Sequence, residues 1–410
     1  MGGQMSVEAT ELQDRISRCA KSLTARLREI RRYLHQRPEL SEREYATTEF
    51  LANLISDLGL TPNFAGDRRG VWADVDAKRG EHHIRVAIRG DIDALPIQTQ
   101  LSTTYASGVD NAMHACGHDA HATMAWGALA ILNELIGEQI LPSGFAARVI
   151  FQPAEETSTG GRHMIQAGAL DGIGAAIALH VDPSRPVGSF GYRDGAFTAG
   201  CDTFHLRVIG QPGHSARPHL TGDTIGAASS WVTDIYRRLP RNEDAREAVV
   251  VNVGQFTAGN APNIVPGEVH LGGTVRTLSR ESGERARQQM KRITEALELS
   301  HPVEAMLNFS THTPPVFNDS GVNLAFRRAA IALVGDSNVR IIEQPSMGAE
   351  DFSFFASVVP AAMMRIGVTG SDVGAQPLHT PTFDIDESVL EHGAAVLALA
   401  AIELSTKAIL

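Results

Sequence analysis

Ala175-Ala176-Ile177-Ala178-Leu179-His180-Val181 is an apolar run broken only by one imidazole. A strand that is apolar on both of its faces is covered on both sides, the habit of parallel sheets rather than of antiparallel sheets with one wet face. Residues 147–151 (Ala-Arg-Val-Ile-Phe) and 83–88 read the same way, and residues 120–135 between them have the length and composition of a buried helix. Strands and helices in alternation predict an α/β domain with a mainly parallel sheet and helices on both faces.

Outward from this centre the rhythm changes twice. Towards the amino end, Leu12, Ile16, Leu23, Leu27, Ile30 and Leu34 recur at helical spacing, which predicts one helix over 7–35. Arg37-Pro38 separates it from a second helix over 42–58, and Ser41 with Glu44 has the spacing of a capping box. In the other direction, 202–209 alternates like a half-buried strand. It is followed by a helix at 222–239, strands at 248–256 and 269–275, a helix at 282–297 and a strand at 303–309. That β-α-β-β-α-β order is a split βαβ, ferredoxin-like α+β unit. After Thr313-Pro314-Pro315 the first rhythm resumes, with a strand at 361–366 and a closing helix at 387–404. The expectation is one domain of residues 1–199 and 313–410, into which 200–312 is inserted through hinges at 198–201 and 311–315.

Composition narrows the function. With 410 residues, two domains are expected. A net charge of −11 leaves no basic footprint for nucleic acid or an anionic membrane, and the basic stretch 26–37 reads as the wet face of a helix. Cys19, Cys116 and Cys201 are odd in number and scattered, which is no disulfide framework and points to the cytoplasm. No apolar stretch approaches the ~20 residues of a membrane span, and no signal peptide opens the chain. Met1-Gly2 followed by Ser6 fits the loose myristoylation pattern, for which an alternative start at Met5 or a cloning remnant is the simpler account.

Chemistry concentrates in Met113-His114-Ala115-Cys116-Gly117-His118-Asp119-Ala120-His121. A helix start and a divalent metal both favour thiolate at Cys116, and Asp119 is placed to orient a ligand histidine. Glu155-Glu156 follows Pro153 at the end of a strand, where α/β enzymes gather their sites. Adjacent side chains of an extended segment point to opposite sides, so one carboxylate can bind metal while its neighbour faces a water as base. A lone histidine at a strand end, such as His180, or in a loop, such as His379, is usually structural. The weight lies in the company: Cys116, His118, Glu156, His180 and His379 form a donor set for two cations with shared coordination.

Segments 113–121, 152–156, 179–180, 213–215, 348–352 and 378–381 resemble, in the same order, the M20 metallopeptidases. The likeness is to the amidohydrolase branch, which takes in hippurate hydrolases, N-acyl-amino-acid amidohydrolases and hydrolases of auxin–amino-acid conjugates. It runs from about residue 31 to 404. The resemblance implies a hydrolase of N-acyl or N-aroyl amino acids that carries two divalent ions, Zn2+ or Mn2+, on Cys116, His118, Glu156, His180 and His379, with Glu155 as general base. It implies that 200–312 is a lid that also forms a homodimer. His214 would reach the partner's site to polarise the scissile carbonyl, and Asn263 and Arg276 would hold substrate. Where many M20 enzymes have a metal-binding His in a His-x-Asp motif, this chain has Asp91-Ile92-Asp93; Asp93 is expected to play a supporting role. The rival readings are a dipeptidase or carboxypeptidase on the same scaffold and a metal-binding protein without catalysis. No Cys-x-x-Cys supports a thioredoxin-like role.

Overall fold

The computed structural model describes residues 2–77 and 84–406, and groups them into two compact units. The larger runs to Gly195 and takes in Phe317–Gln344 and everything from Asp351. The smaller is Ala196–Val316 with Pro345–Glu350.

The larger unit is built on an eight-stranded sheet in the order Asn63–Phe64, Val71–Asp76, Ala146–Gln152, Arg85–Asp91, Ile173–Pro186, Ala361–Thr369, Phe190–Tyr192, Val339–Ile341. The four central strands are mutually parallel. Every residue of Ala146–Gln152 is buried, as its two-sided apolar reading requires. The expected strand at 83–88 runs Arg85–Asp91, and His83 lies outside the described residues.

The expected single helix at the amino end is two, Gly2–Ser22 and Thr24–Gln36. Leu23, between them, keeps right-handed backbone angles and still donates to Cys19 O (3.1 Å), so the axis is only nicked. The capping box does not form. Helix Tyr45–Asp57 starts without a side-chain cap, because Ser41 and Glu44 are engaged elsewhere. The closing helix, Val389–Thr406, is long and apolar enough to pass for a membrane span, contrary to the sequence reading. However, 78% of it is buried inside the fold, on helices His118–Gly137 and Ser320–Val334 and the central strands. Its uniform apolarity is that of a core helix.

In the smaller unit the sheet order is Val249–Ala258, Glu268–Thr277, Gly200–Gly210, Val303–Thr313, every neighbour antiparallel. Along Gly200–Gly210 burial alternates, because one face is covered and the other is wet. The inward set Phe204, Leu206 and Val208 packs on Trp231 and Ile235 of helix Thr224–Arg241 and on Met290 and Ile293 of helix Arg280–Ser300. Trp231 Nε1 donates to Thr294 Oγ1 (2.9 Å), so the buried indole keeps its hydrogen bond. Residues 345–350, expected with the parallel sheet, group here instead. Ala199 N donates to Ser346 O and Gly348 O, and Ser346 N to Phe197 O, which ties the segment to the first residues of the smaller unit.

Candidate metal centre

Register sets the site. Arg89 lies opposite Ala178 and Asp91 opposite Gln152, so the last turn of side chains on three parallel strands comes level with His180. Helix His118–Gly137 starts at the same level, and its approach is possible only through Gly117. This residue sits at φ +86°, and a Cβ there would stand 2.4 Å from Val181 Cγ2. Two other left-handed residues turn donors inward, Ala154 (φ 53°) just before Glu155-Glu156 and His379 itself (φ 61°). His379 N donates to Ala115 O (2.8 Å), which fastens its loop to the segment carrying Cys116.

The five expected donors meet. Cys116 Sγ lies 3.2 Å from His379 Nε2 and 3.6 Å from His180 Nε2. Glu156 Oε1 lies 3.5 Å from His379 Nε2 and 3.8 Å from His118 Nε2. Two trios share the thiol, Cys116/His118/His180 and Cys116/Glu156/His379. The chemistry fits a pair of divalent ions. Ligand atoms around a tetrahedral cation with bonds of about 2.0–2.3 Å stand about 3.3–3.8 Å apart, the spacing found here. Moreover, His118 Nε2 and Glu156 Oε1 are buried with no hydrogen-bond partner, a costly condition that a cation would relieve.

The outer nitrogens are taken, which aims the inner ones. His118 Nδ1 meets Asp93 O (2.9 Å) and Asp93 Oδ1 (3.0 Å), and His180 Nδ1 meets Val181 O (2.8 Å). Burial pushes the Asp93 carboxyl up, but His118 and the Glu156 amide outweigh it and hold it below the usual range. Asp93 is therefore the group that orients His118. Asp119 does not orient a ligand: its Oδ2 accepts from Arg31 Nε (2.9 Å) and pairs with His35 Nδ1 (2.7 Å). Nor does the helix start alone make Cys116 a thiolate. Burial pushes the thiol well up, with Glu156 and Glu155 acting the same way and His118 opposing them; a bound cation would act in the same sense as His118.

Sequence reasoning missed a layer of support. Asp91 accepts from Arg89 Nη1 (2.5 Å) at one oxygen and pairs with His121 Nδ1 (2.7 Å) at the other. His121 Nε2 accepts from Val181 N (2.9 Å), so one imidazole fixes the residue whose carbonyl meets His180 Nδ1. Arg89 also reaches Gln152 Oε1 (3.0 Å) and Asp351 Oδ1 (2.8 Å). Only the density of ionisable groups in these motifs hinted at such a network. Glu155 is mostly buried; its Oε1 accepts from Asp351 N (3.3 Å) and its Oε2 lies 3.9 Å from His118 Nε2.

His214, Asn263 and Arg276 belong to the smaller unit. His214 is exposed, pairs with Ile264 in a two-stranded ribbon and accepts Ala216 N–H at Nδ1 (3.1 Å). Ser215 N donates to Asn263 O (3.1 Å), so these two expected residues are neighbours. Arg276 sits at the far end of strand Glu268–Thr277, opposite Cys201, with Nη1 on Met347 O (2.8 Å).

Known proteins align with this picture. A family model described as Peptidase family M20/M25/M40 matches residues 87–403. An N-acetylcysteine deacetylase of Bacillus subtilis is 33% identical over 391 residues, covering 94% of this chain and 99% of that protein. An IAA-amino acid hydrolase of Arabidopsis thaliana is 35% identical over 383 residues, 92% of this chain and 79% of that one. The crystal structure of a dinuclear metal binding peptidase of family M20 from Bacillus subtilis superposes with a TM-score of 0.80 at 30% identity, covering 94% and 99% of the two chains. The chain belongs to peptidase family M20/M25/M40 and is a metal-dependent hydrolase of amide bonds.

Proposed function

We propose that the protein hydrolyses N-acyl or N-aroyl amino acids to a carboxylic acid and a free amino acid. One observation carries the choice of branch. Each Asp91 oxygen already has a partner, in Arg89 and His121, and Asp91 forms a fully buried group of its own with His118 and His121. Cys116, by contrast, is shared by the trios Cys116/His118/His180 and Cys116/Glu156/His379. That is the arrangement of an amidohydrolase rather than of the peptidases with a histidine at the Asp91 position. The names of the Bacillus deacetylase and the Arabidopsis hydrolase point the same way.

Cys116, His118, Glu156, His180 and His379 would hold the ions, Zn2+ or Mn2+. Bound there, a pair of divalent ions would supply the Lewis acidity that makes a water more acidic and polarises a carbonyl. Glu155, poised beside His118 but outside the five donors, takes the proton of the attacking water and returns it to the leaving amine. Arg276 offers a fork for the substrate carboxylate, Asn263 a further polar contact, and His214 a donor to the developing oxyanion.

We further propose that residues 200–312 act as a lid and homodimerise, so that one site uses two copies. Eight residues of strand, about 27 Å, separate Glu268 near the His214 ribbon from Arg276. That length exceeds a small N-acyl amino acid, which supports a site that takes Arg276 from one copy and His214 from another. Three free cysteines support a cytoplasmic setting. The test is a panel of N-acyl amino acids, N-aroyl amino acids and dipeptides, run with metal analysis. Turnover of the acyl or aroyl compounds is expected. Turnover of dipeptides alone makes the protein a dipeptidase, and metal-loaded protein inert to the whole panel makes it a binding protein.

A further inference from the structure

The turn ahead of helix Tyr45–Asp57, whose Ser41 and Glu44 do not cap it, grips the loop that carries Glu155 and Glu156. Ser41 Oγ donates to Asp93 Oδ2 (2.7 Å), and the same oxygen accepts Glu156 N–H (3.0 Å). Thr159 Oγ1 donates to Glu42 Oε1 (3.3 Å). Glu44 is fully buried, and its Oε1 accepts from Ala154 N (2.7 Å) and Glu42 N (3.0 Å). Ala154 is left-handed at φ 53°, a conformation costing a residue with a Cβ about 1–3 kcal/mol unless its surroundings enforce it. Its carbonyl is tied within the loop, to Thr159 N (3.2 Å) and Gly160 N (3.0 Å). On the amide side the partner is Glu44, brought from another element more than a hundred residues earlier in the chain.

We infer that Glu44 is a positioning residue: by accepting the Ala154 N–H it holds the left-handed bend that turns Glu155 towards His118. The inference rests on the reading of Glu155 as proton carrier. Glu156 is anchored by its own amide on Asp93, and Glu155 by Asp351 N at Oε1, so losing Glu44 loosens the bend that aims Glu155 and leaves the metal ligand in place.

Four variants test it. Glu44→Ala should lower kcat by about tenfold or more, the worth of one buried hydrogen bond, with KM within about twofold and metal content unchanged by elemental analysis. Glu44→Gln keeps an acceptor oxygen and should stay within about threefold of the parent. Adding Ala154→Gly to Glu44→Ala should recover much of the lost kcat, because glycine holds a positive φ without strain. In metal-free protein, hydrogen exchange over residues 151–157 should quicken in Glu44→Ala and not in Glu44→Gln. Normal kcat with unchanged exchange in Glu44→Ala, no recovery on adding Ala154→Gly, or a loss beyond tenfold in folded Glu44→Gln each overturns the inference. Exchange needs no turnover, so it separates this outcome from the other failure: a fully active Glu155→Gln would remove the proton carrier while leaving the Glu44 contact on record.

Discussion

Strands Ile173–Pro186 and Gly200–Gly210 stand close in the chain and live differently. The first is buried without a break from Ala175 to Val181, whereas the second alternates between core and solvent. A strand walled in on both faces has little freedom, and His180 within it is fixed through Val181 and His121 while the strand runs on to Pro186. A strand with one wet face spends half its side chains on the outside, where they are free to meet another molecule. The larger unit should therefore own the metals and the proton, and the smaller unit the grip on substrate.

Substitutions can break that division. The largest effect belongs to Glu155→Gln, which should keep its metal and lose about 10²–10⁴ in kcat; near-parental turnover would remove it as base. Next comes Cys116→Ala, which should bind metal at least about tenfold more weakly, with less than two ions per chain by elemental analysis; full stoichiometry would take the thiol out of the site. His214→Ala tests the other side. It should cost about 10²-fold in kcat with metal content unchanged, and mixing it with Glu155→Gln should restore turnover in hybrid dimers. Lost metal, or no rescue, would erase the distinction between the units.

The smallest effect is a pH slope. Burial, and then the charge of Asp93, push the Glu44 carboxyl up to about 7 from an ordinary 4.5. Between those values the native state holds more protons than the unfolded one. The associated stability is thus full below pH 4.5 and lost as pH rises through 7, by up to about 3 kcal/mol. Glu44→Gln should flatten this part of the urea-midpoint profile between pH 5 and 8. An identical profile would mean that Glu44 does not titrate there.

Much of this was legible because the deciding patterns are local. Unbroken apolar runs mark doubly covered strands, and Cys, His and Glu crowded into short motifs are rare enough to stand out. Pairings were not legible. Whether Asp93 or Asp119 orients His118 depends on which carboxylate faces the ring, and Asp119 is claimed by Arg31 and His35 from a helix more than eighty residues away. Ser41 and Glu44 matched a local rule and were captured by distant partners, Asp93 and Ala154. Residues 345–350 joined the smaller unit through hydrogen bonds to Phe197 and Ala199, which no composition shift announces.

The burial of Val389–Thr406 also has a consequence for biosynthesis. This helix covers strands made far earlier, so on the ribosome the parallel sheet waits for its roof while the intervening smaller unit is already complete enough to fold. During that interval a long apolar surface stands open, and chaperone capture of nascent chains should peak there.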